Sequence, residues 1–310
     1  MNAPSPASSS APSSSQSPRY RHVSFLSDYG VGDEFVGVVK GVIADIAPHV
    51  AVLDLTHEIP AFDVRAGSLA LARSITYVPE GVVLAVVDPG VGTSRRAIAV
   101  SVAAGRGVLI GPDNGVLSMA VALAGGADEA VELTNDEYHL VAPGATFAGR
   151  DIFAPVAAHV CNGVPLRELG PAVDPALLMP GVIPLSRREG DVLVAEVTWV
   201  DRYGNCQLNV SPEDVAEWGD VLSLSCTTAT GESVTRSVQR ATSFEGIGGG
   251  LGLVLDSYGM LAVCMRQRSA ADELRLAAGD SVQLRAAVGG ATPGVTVAVQ
   301  LGSRGSNERR

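Results

Sequence analysis

Between His22 and about Val160, short apolar runs rich in β-formers alternate with longer stretches whose apolar residues recur at helical spacing. HVSFLSD reads as a first strand, DEFVGVVKGVIADIAP as a helix stopped near Pro48, and VAVLDLTHEI as a second strand. AGSLALARSITYV follows as a helix, GVVLAVVD as a third strand, AIAVSV and GVLIGPD as further strands, and GVLSMAVALAG as a helix. DIFAPVAAHVCNGVPLRELG closes the region as a helix and its exit. Strands buried on both faces with helices between them imply an α/β layer architecture around a mostly parallel sheet. Ligands of such sheets collect at the carboxyl ends of the strands, where Asp28, Asp54, Asp88 and Asp113 all fall.

A Pro-rich stretch (Pro171, Pro175, Pro180, Pro184) ends this rhythm. From Asp191 onward, DVLVAEVTWVD, VLSLSC, LGLVLDS, MLAVCM and SVQLRAAV alternate apolar and polar residues and are broken by Gly and Asp, the pattern of an antiparallel barrel or sandwich. The expected organisation is a tail over 1–20, an N-terminal α/β domain over 21–175, a linker over 176–190, a smaller barrel-like all-β domain over 191–302, and a tail over 303–310. The first tail is Ser, Pro and Ala with no basic start and no apolar core. It predicts disorder rather than a signal peptide or a helix.

Composition narrows the partners. At 310 residues the chain can bury two cores without disulfide or metal staples. A net charge of -11 argues against a nucleic-acid surface and suits a cationic or neutral small ligand. No apolar run is long and charge-free enough to cross a bilayer, so neither membrane nor nucleic acid is expected as partner, and with no signal-like start the expected compartment is the cytoplasm. Cys161, Cys206, Cys226 and Cys264 are widely spaced and form no CxxC pair. They read as reduced core thiols. His49, His57, His139 and His159 show no metal-ligand spacing, so no metal site is expected.

Four stretches place polar groups where strands end: SDYG (Asp28), DPGVGTSRR (Asp88, Arg95), GPDNG (Asp113, Asn114) and DRYGN (Asp201, Asn205). Any one of them alone is a turn, because Asp, Asn, Pro and Gly are what turns are made of. Their recurrence at successive strand mouths favours a shared ligand site. GVGTSRR lacks the Lys-Ser/Thr ending of a phosphate loop, and no GxSxG elbow is present.

Read together, FLSDYG, VLDLTHEIPAFDVRAGSLAL, VVDPGVGTSRRAIAV, GPDNG, TFAGRDIFAP, DRYGN and SAADEL resemble the S-adenosyl-L-methionine (SAM) hydroxide adenosyltransferase family. This is the hydrolase branch of a group that also holds the SAM-dependent fluorinase and chlorinase, and the similarity runs from about His22 to Val288. It implies a homotrimer of two-domain subunits, an N-terminal α/β domain and a C-terminal β-barrel, with the substrate between one subunit's first domain and its neighbour's second. The implied reaction converts SAM and water to adenosine and L-methionine with no cofactor, SAM itself being the substrate. Asp88 and Arg95 are the implied catalytic pair, with Asp88 facing the reacting 5′ carbon. Its implied role is to position and polarise water, Arg95 fixing its orientation. Asp28 is expected to accept from the ribose hydroxyls, and Phe62 to lie near the ribose or methionine chain. Asp201 and Asn205 are expected to hold the methionine amino and carboxyl groups, Tyr203 and Phe244 to line apolar walls, and Ser257 to contact substrate. In the halogenases a tyrosine is expected at the Asp88 position, so Asp88 favours water over halide. The chain also lacks the long insertion expected of a fluorinase after Arg96.

One position departs from the implied pattern. Hydrolases of the family carry Phe-His-Gly-Arg-Asp, completing an Asp-Arg-His set, whereas this chain reads Phe147-Ala148-Gly149-Arg150-Asp151. Alanine neither donates nor accepts a proton, so the expectation is slow turnover with substrate binding retained. A natural variant using another group and an engineered His-to-Ala change both fit, the second being favoured because every neighbouring residue keeps the pattern. Arg266 and Arg268 stand where the family more often has Asn and Gly. The rival functions are a halide-dependent adenosyltransferase and a non-catalytic adenosine- or SAM-binding protein.

Overall fold

The computed structural model describes residues 19–227 and 233–287, and its contacts divide into two units, Met1–Val182 and Ile183–Arg310. The tails expected over 1–20 and 303–310 lie outside the described residues except for Arg19 and Tyr20, as do residues 288–302 of the expected all-β domain. Arg19 and Tyr20 are docked: the Arg19 amide donates to the Cys161 carbonyl at 2.8 Å, and the buried Tyr20 donates its hydroxyl to the Gly105 carbonyl at 2.7 Å.

In the first unit, strands β1 (His22–Ser27), β2 (Ala51–Thr56), β3 (Gly81–Val86), β4 (Ala97–Val102), β5 (Gly107–Pro112) and β6 (Ala127–Glu132) form one sheet in the order β2-β1-β3-β5-β4-β6. β1, β2, β3 and β5 pair in parallel, while β4 runs antiparallel to both of its neighbours. Because side chains alternate along a strand, β3 gives Val82, Leu84 and Val86 to one core with Phe25, Ile43 and Phe153, and Val83 and Ala85 to another with Leu26, Leu71 and Leu117. Helices α1 (Phe35–Ile46) and α4 (Ala154–Cys161) pack together on the first face. Helices α2 (Val64–Ser74) and α3 (Ser118–Leu123) pack together on the second. Such two-sided burial explains why these strands read as continuous apolar runs.

Two expectations need correcting. β2 is an edge strand with much of its surface exposed, not a strand buried on both faces, and Asp54 lies inside it, opposite Phe25, rather than at its end. β6 escaped the pattern because Asp128 and Glu129 occupy exposed positions of a half-buried strand. The antiparallel course of β4 matters for chemistry: its first residues start at the sheet edge where β3 and β5 end. Arg95 and Arg96, just before β4, are thereby delivered to the carboxyl edge beside Asp88 and Asp113.

In the second unit, β8 (Val192–Val200), β9 (Cys206–Leu208), β10 (Val221–Thr227), β11 (Ser233–Ala241), β12 (Leu251–Leu255), β13 (Leu261–Met265) and β14 (Ser281–Ala286) form a closed barrel. The ring closes where β14 pairs with β8, and all its pairings are antiparallel except β11 with β12. The short strand β7 (Arg187–Glu189) adds to β8, and helix α5 (Ala270–Leu274) follows β13. Leu193, Val197, Leu208, Leu222, Leu253 and Leu284 fill the interior. All four cysteines are free and buried, and burial pushes the Cys161, Cys206 and Cys264 thiols up to about 12. No helix among the described residues is long and apolar enough to cross a membrane.

Candidate active site

All six residues of β3 are buried, Val87 extends the apolar run, and the chain then turns at Asp88, whose carbonyl accepts from the Val91 amide. The Asp88 carboxylate is held by a two-pronged ion pair with Arg95. Nε donates to Oδ1 at 2.8 Å and Nη2 donates to Oδ2. Side-chain exposure is 6% for Asp88 and 14% for Arg95. Both oxygens are fixed in one plane by the guanidinium fork, and the Arg95 guanidinium carbon lies 5.2 Å from the centre of the Phe153 ring. A carboxylate can therefore end a buried strand because a partner arrives with it from the antiparallel β4.

Asp28 follows β1 and is tied to β3 through its amide and the Val86 carbonyl. Its Oδ2 accepts from the Phe62 amide at 2.9 Å. Phe62 sits at a φ of 68°, a strained value for a non-glycine residue, with its side chain largely in solvent. The same turn is pinned by the Gly30 amide donating to the His57 carbonyl at 2.7 Å. The buried His57 ring stands 2.8 Å from Ser27 Oγ through Nδ1 and 3.1 Å from Asp54 Oδ1 through Nε2. Lys40 completes the chain with a 2.8 Å ion pair to Asp54. Burial opposes ionisation of Asp54, but Lys40 and His57 outweigh it and hold its pKa below the usual carboxylate value.

The segment that departs from the implied pattern opens a wide π-helical turn, Gly149–Phe153, which runs directly into α4. Such turns accommodate an extra residue and recur at functional sites. Ala148 is buried at its start, and Phe153 at its end carries the ring beneath Arg95. Asp151 is buried and paired with Arg150 at 2.5 Å, and its carbonyl accepts from the Leu140 amide. Gly149 has no room for a side chain, since a Cβ there would stand 2.1 Å from the Tyr29 hydroxyl oxygen. The Tyr29 ring is enclosed edge-on by Phe25 and Phe147 and tilted against Phe35. Burial, then the charges of Asp28 and Asp88, raise the pKa of its hydroxyl well above the ordinary phenol value; Arg95 opposes and Asp151 adds to the rise. The sequence reading used only the aspartate of SDYG and missed this tyrosine. Its position directly after Asp28 was the available signal.

In the second unit, Asp201 and Asn205 form a closed turn at the end of β8. Asp201 Oδ1 accepts from the Tyr203 and Asn205 amides at 2.8 and 2.9 Å, and Oδ2 accepts from Asn205 Nδ2 at 2.8 Å. Gly204 makes the turn possible, with a φ of 79° and its Cα against Ser269. Tyr203, Asn205 and Phe244 line one cavity of about 500 Å³ together with Arg268 and Ser269. Asp201, Asn205, Phe244 and Ser257 line an adjoining cavity of about 460 Å³ with Trp199 and Asp256. Arg266 pairs with Glu245 at 2.5 Å and Arg268 with Glu273 at 2.6 Å.

The structure thus brings Asp88, Arg95 and Tyr29 into one neighbourhood, with Asp28 and Phe62 in contact with each other, and gathers Asp201, Tyr203, Asn205, Phe244 and Ser257 around two cavities that share Asn205 and Phe244. Asp113 does not join either group. It is buried, paired with Arg96 at 2.5 Å, and accepts from the Met179 amide, while Asn114 bonds the Val87 carbonyl and the Val116 amide. For GPDNG the turn reading holds.

A family model for the SAM hydroxide adenosyltransferase N-terminal domain matches residues 23–170, and one for the C-terminal domain matches residues 195–283. The chain belongs to the SAM hydroxide adenosyltransferase family. A protein of Salinispora arenicola named (R)-S-adenosyl-L-methionine hydrolase is 44% identical over 272 residues, 85% of this chain and 97% of the relative. One of the same name from Thermus thermophilus is 40% identical, with 85% and 99% covered. More distant relatives, at 27–28% identity, carry the name fluorinase. The crystal structure of a conserved Thermotoga maritima protein superposes with a TM-score of 0.75 at 32% identity, covering 85% of this chain and 99% of that one. The SAM hydroxide adenosyltransferase models span both residue groups described above, Asp28 to Asp151 in the first and Asp201 to Ser257 in the second.

Proposed function

We propose that this chain is a SAM hydrolase that forms adenosine and L-methionine, and that Ala148 slows it. The observation carrying the proposal is the two-pronged Asp88–Arg95 pair at the mouth of β3. Attack of water at the ribose 5′ carbon breaks the bond to sulfur, and its electron pair returns to the sulfonium to give the neutral thioether of methionine. The leaving group needs no acid. The reaction needs a water held in line and shielded from bulk solvent, and its proton leaves by way of the Asp88 carboxylate. Asp28 accepts from the ribose hydroxyls with Phe62 nearby. Asp201 and Asn205 hold the methionine end, Tyr203 and Phe244 supply apolar walls, and Ser257 contributes a hydroxyl. No cofactor or metal enters this reading. A fixed negative charge at Asp88 repels halide, which disfavours the halogenase alternative.

The resemblance to the SAM hydroxide adenosyltransferases supports a homotrimer whose sites are completed by a neighbouring subunit. The intracellular substrate supports a cytoplasmic location. A non-catalytic adenosine- or SAM-binding protein is the second reading, and Ala148 is the observation in its favour. The deciding experiment measures adenosine and methionine release from SAM by this chain and by Ala148→His. A positioned proton-handling group contributes on the order of a hundred- to ten-thousandfold, and a gain of that size is expected from the histidine variant. Saturable SAM binding without product from either protein would select the binding-protein reading.

A further inference from the structure

The wide turn that opens at Ala148 carries no polar side chain at its first position, yet a polar atom stands directly over its second. The Tyr29 hydroxyl oxygen occupies the space a Cβ on Gly149 would fill. Phe25, Phe35 and Phe147 fix the ring that carries it, so the oxygen is placed by packing rather than by a hydrogen bond. It makes no hydrogen bond to another described residue. The oxygen is not among the buried polar atoms left without a partner, so it is open to solvent and has one donor and two acceptor sites free for a water. The charges that act on it are those of the proposed catalytic neighbourhood, Asp28, Asp88, Arg95 and Asp151, and Phe153 at the far end of the same turn lies against the Arg95 guanidinium. The same carboxylates, with burial, keep the phenol protonated far above neutral pH.

We propose that the Tyr29 hydroxyl is the third member of the water-holding set in this chain, serving beside Asp88 and Arg95 where Ala148 offers no polar atom. This rests on the hydrolase reading above. The hydroxyl oxygen accepts a hydrogen bond from the attacking water while its own proton points to a carboxylate, so the water's lone pair is aimed at the 5′ carbon. The phenol remains neutral throughout. As the carbon–oxygen bond forms and the carbon–sulfur bond breaks, the water's proton passes to Asp88 and then to solvent. Tyr29 aligns the nucleophile without taking net charge.

The test is steady-state SAM hydrolysis by the full chain, Tyr29→Phe, Ala148→His and the double variant, with SAM and adenosine affinities measured by calorimetry. Tyr29→Phe keeps the ring and its packing, and a thermal melt matching the parent establishes that the fold is intact. The expected result is a kcat lower by about ten- to a hundredfold, the rate equivalent of one hydrogen bond, with SAM affinity within about threefold. In the Ala148→His background the same change should cost less, since two groups then serve one water and their effects do not add. An unchanged kcat in Tyr29→Phe, or a loss of affinity matching the loss of rate, overturns the proposal and leaves the hydrolase reading standing. A parent without turnover beside an active Ala148→His also overturns it, because Tyr29 then supplies nothing. Inactivity of all four proteins removes the hydrolase reading itself.

Discussion

Asp201 is the residue whose surroundings most change what its sequence suggested. A carboxylate has about four acceptor sites, and three here are taken by the Tyr203 amide, the Asn205 amide and the Asn205 side chain. Its first task is to shape the turn that presents Asn205, and only the remaining site is left for a ligand. Asp201→Asn puts an NH₂ group against a donor and should cost about 1–3 kcal/mol, seen as a lower melting temperature together with weaker SAM binding by calorimetry. A variant that binds more weakly but melts with the parent would mean the turn does not depend on the carboxylate. Asp88 and Arg95 were singled out through the family resemblance, and their pairing is almost local because only a short turn separates them. Tyr29 was not, because an aromatic residue after a strand reads as core, and its role arises from its meeting with Gly149, far along the chain. Asp113 misled for the opposite reason: a turn aspartate and a ligand aspartate have the same local sequence, and the partners that occupy Asp113, Arg96 and the distant Met179 amide, are brought to it only by the fold.

At the scale of elements, β1, β3 and β5 were readable because burial on both faces leaves a continuous apolar run. The direction of β4 was not, since an apolar run looks the same from either end. That direction is what brings Arg95 to Asp88. The wide turn over Gly149–Phe153 was likewise hidden, because a single π-helical turn is too short to show a period of its own. Helix α4, which follows it, carries His159 half-buried against the Tyr138 ring at 5.0 Å. Burial lowers the His159 pKa below its ordinary 6.5. Burial also lowers that of His139 by more than Asp136 restores. The folded protein therefore keeps both rings neutral where the unfolded chain protonates them. Below about pH 6.5 the unfolded state binds more protons, so stability falls as pH falls, until the folded-state values are reached. Thermal melts between pH 7 and 5 should show that decline, and His159→Phe should flatten it by at most about 1.4 kcal/mol per pH unit. An unaltered slope would mean that the His159 ring takes up its proton in the folded protein as readily as in the unfolded one.

For the whole molecule, the change from helices and strands to strands alone was legible in alternating stretches such as β10, although β12 and β13 are buried almost throughout. How subunits combine is not written in such patterns, since interface residues share the composition of ordinary surface. The proposed intersubunit site nevertheless has a consequence that no single-chain site shares. If one subunit gives Asp28 and its neighbour gives Asp201, then Asp28→Ala and Asp201→Ala damage opposite halves of the same site. Light scattering should give three times the chain's 31.8 kDa for each variant. Unfolding the two inactive variants together and refolding them as mixed trimers should then restore activity to about a quarter of the sites, those that draw both halves intact from different subunits. Separately refolded controls should remain inactive. Mixed trimers that stay as inactive as the controls would place both halves of the site in one chain, and the neighbouring subunit would have no part in catalysis.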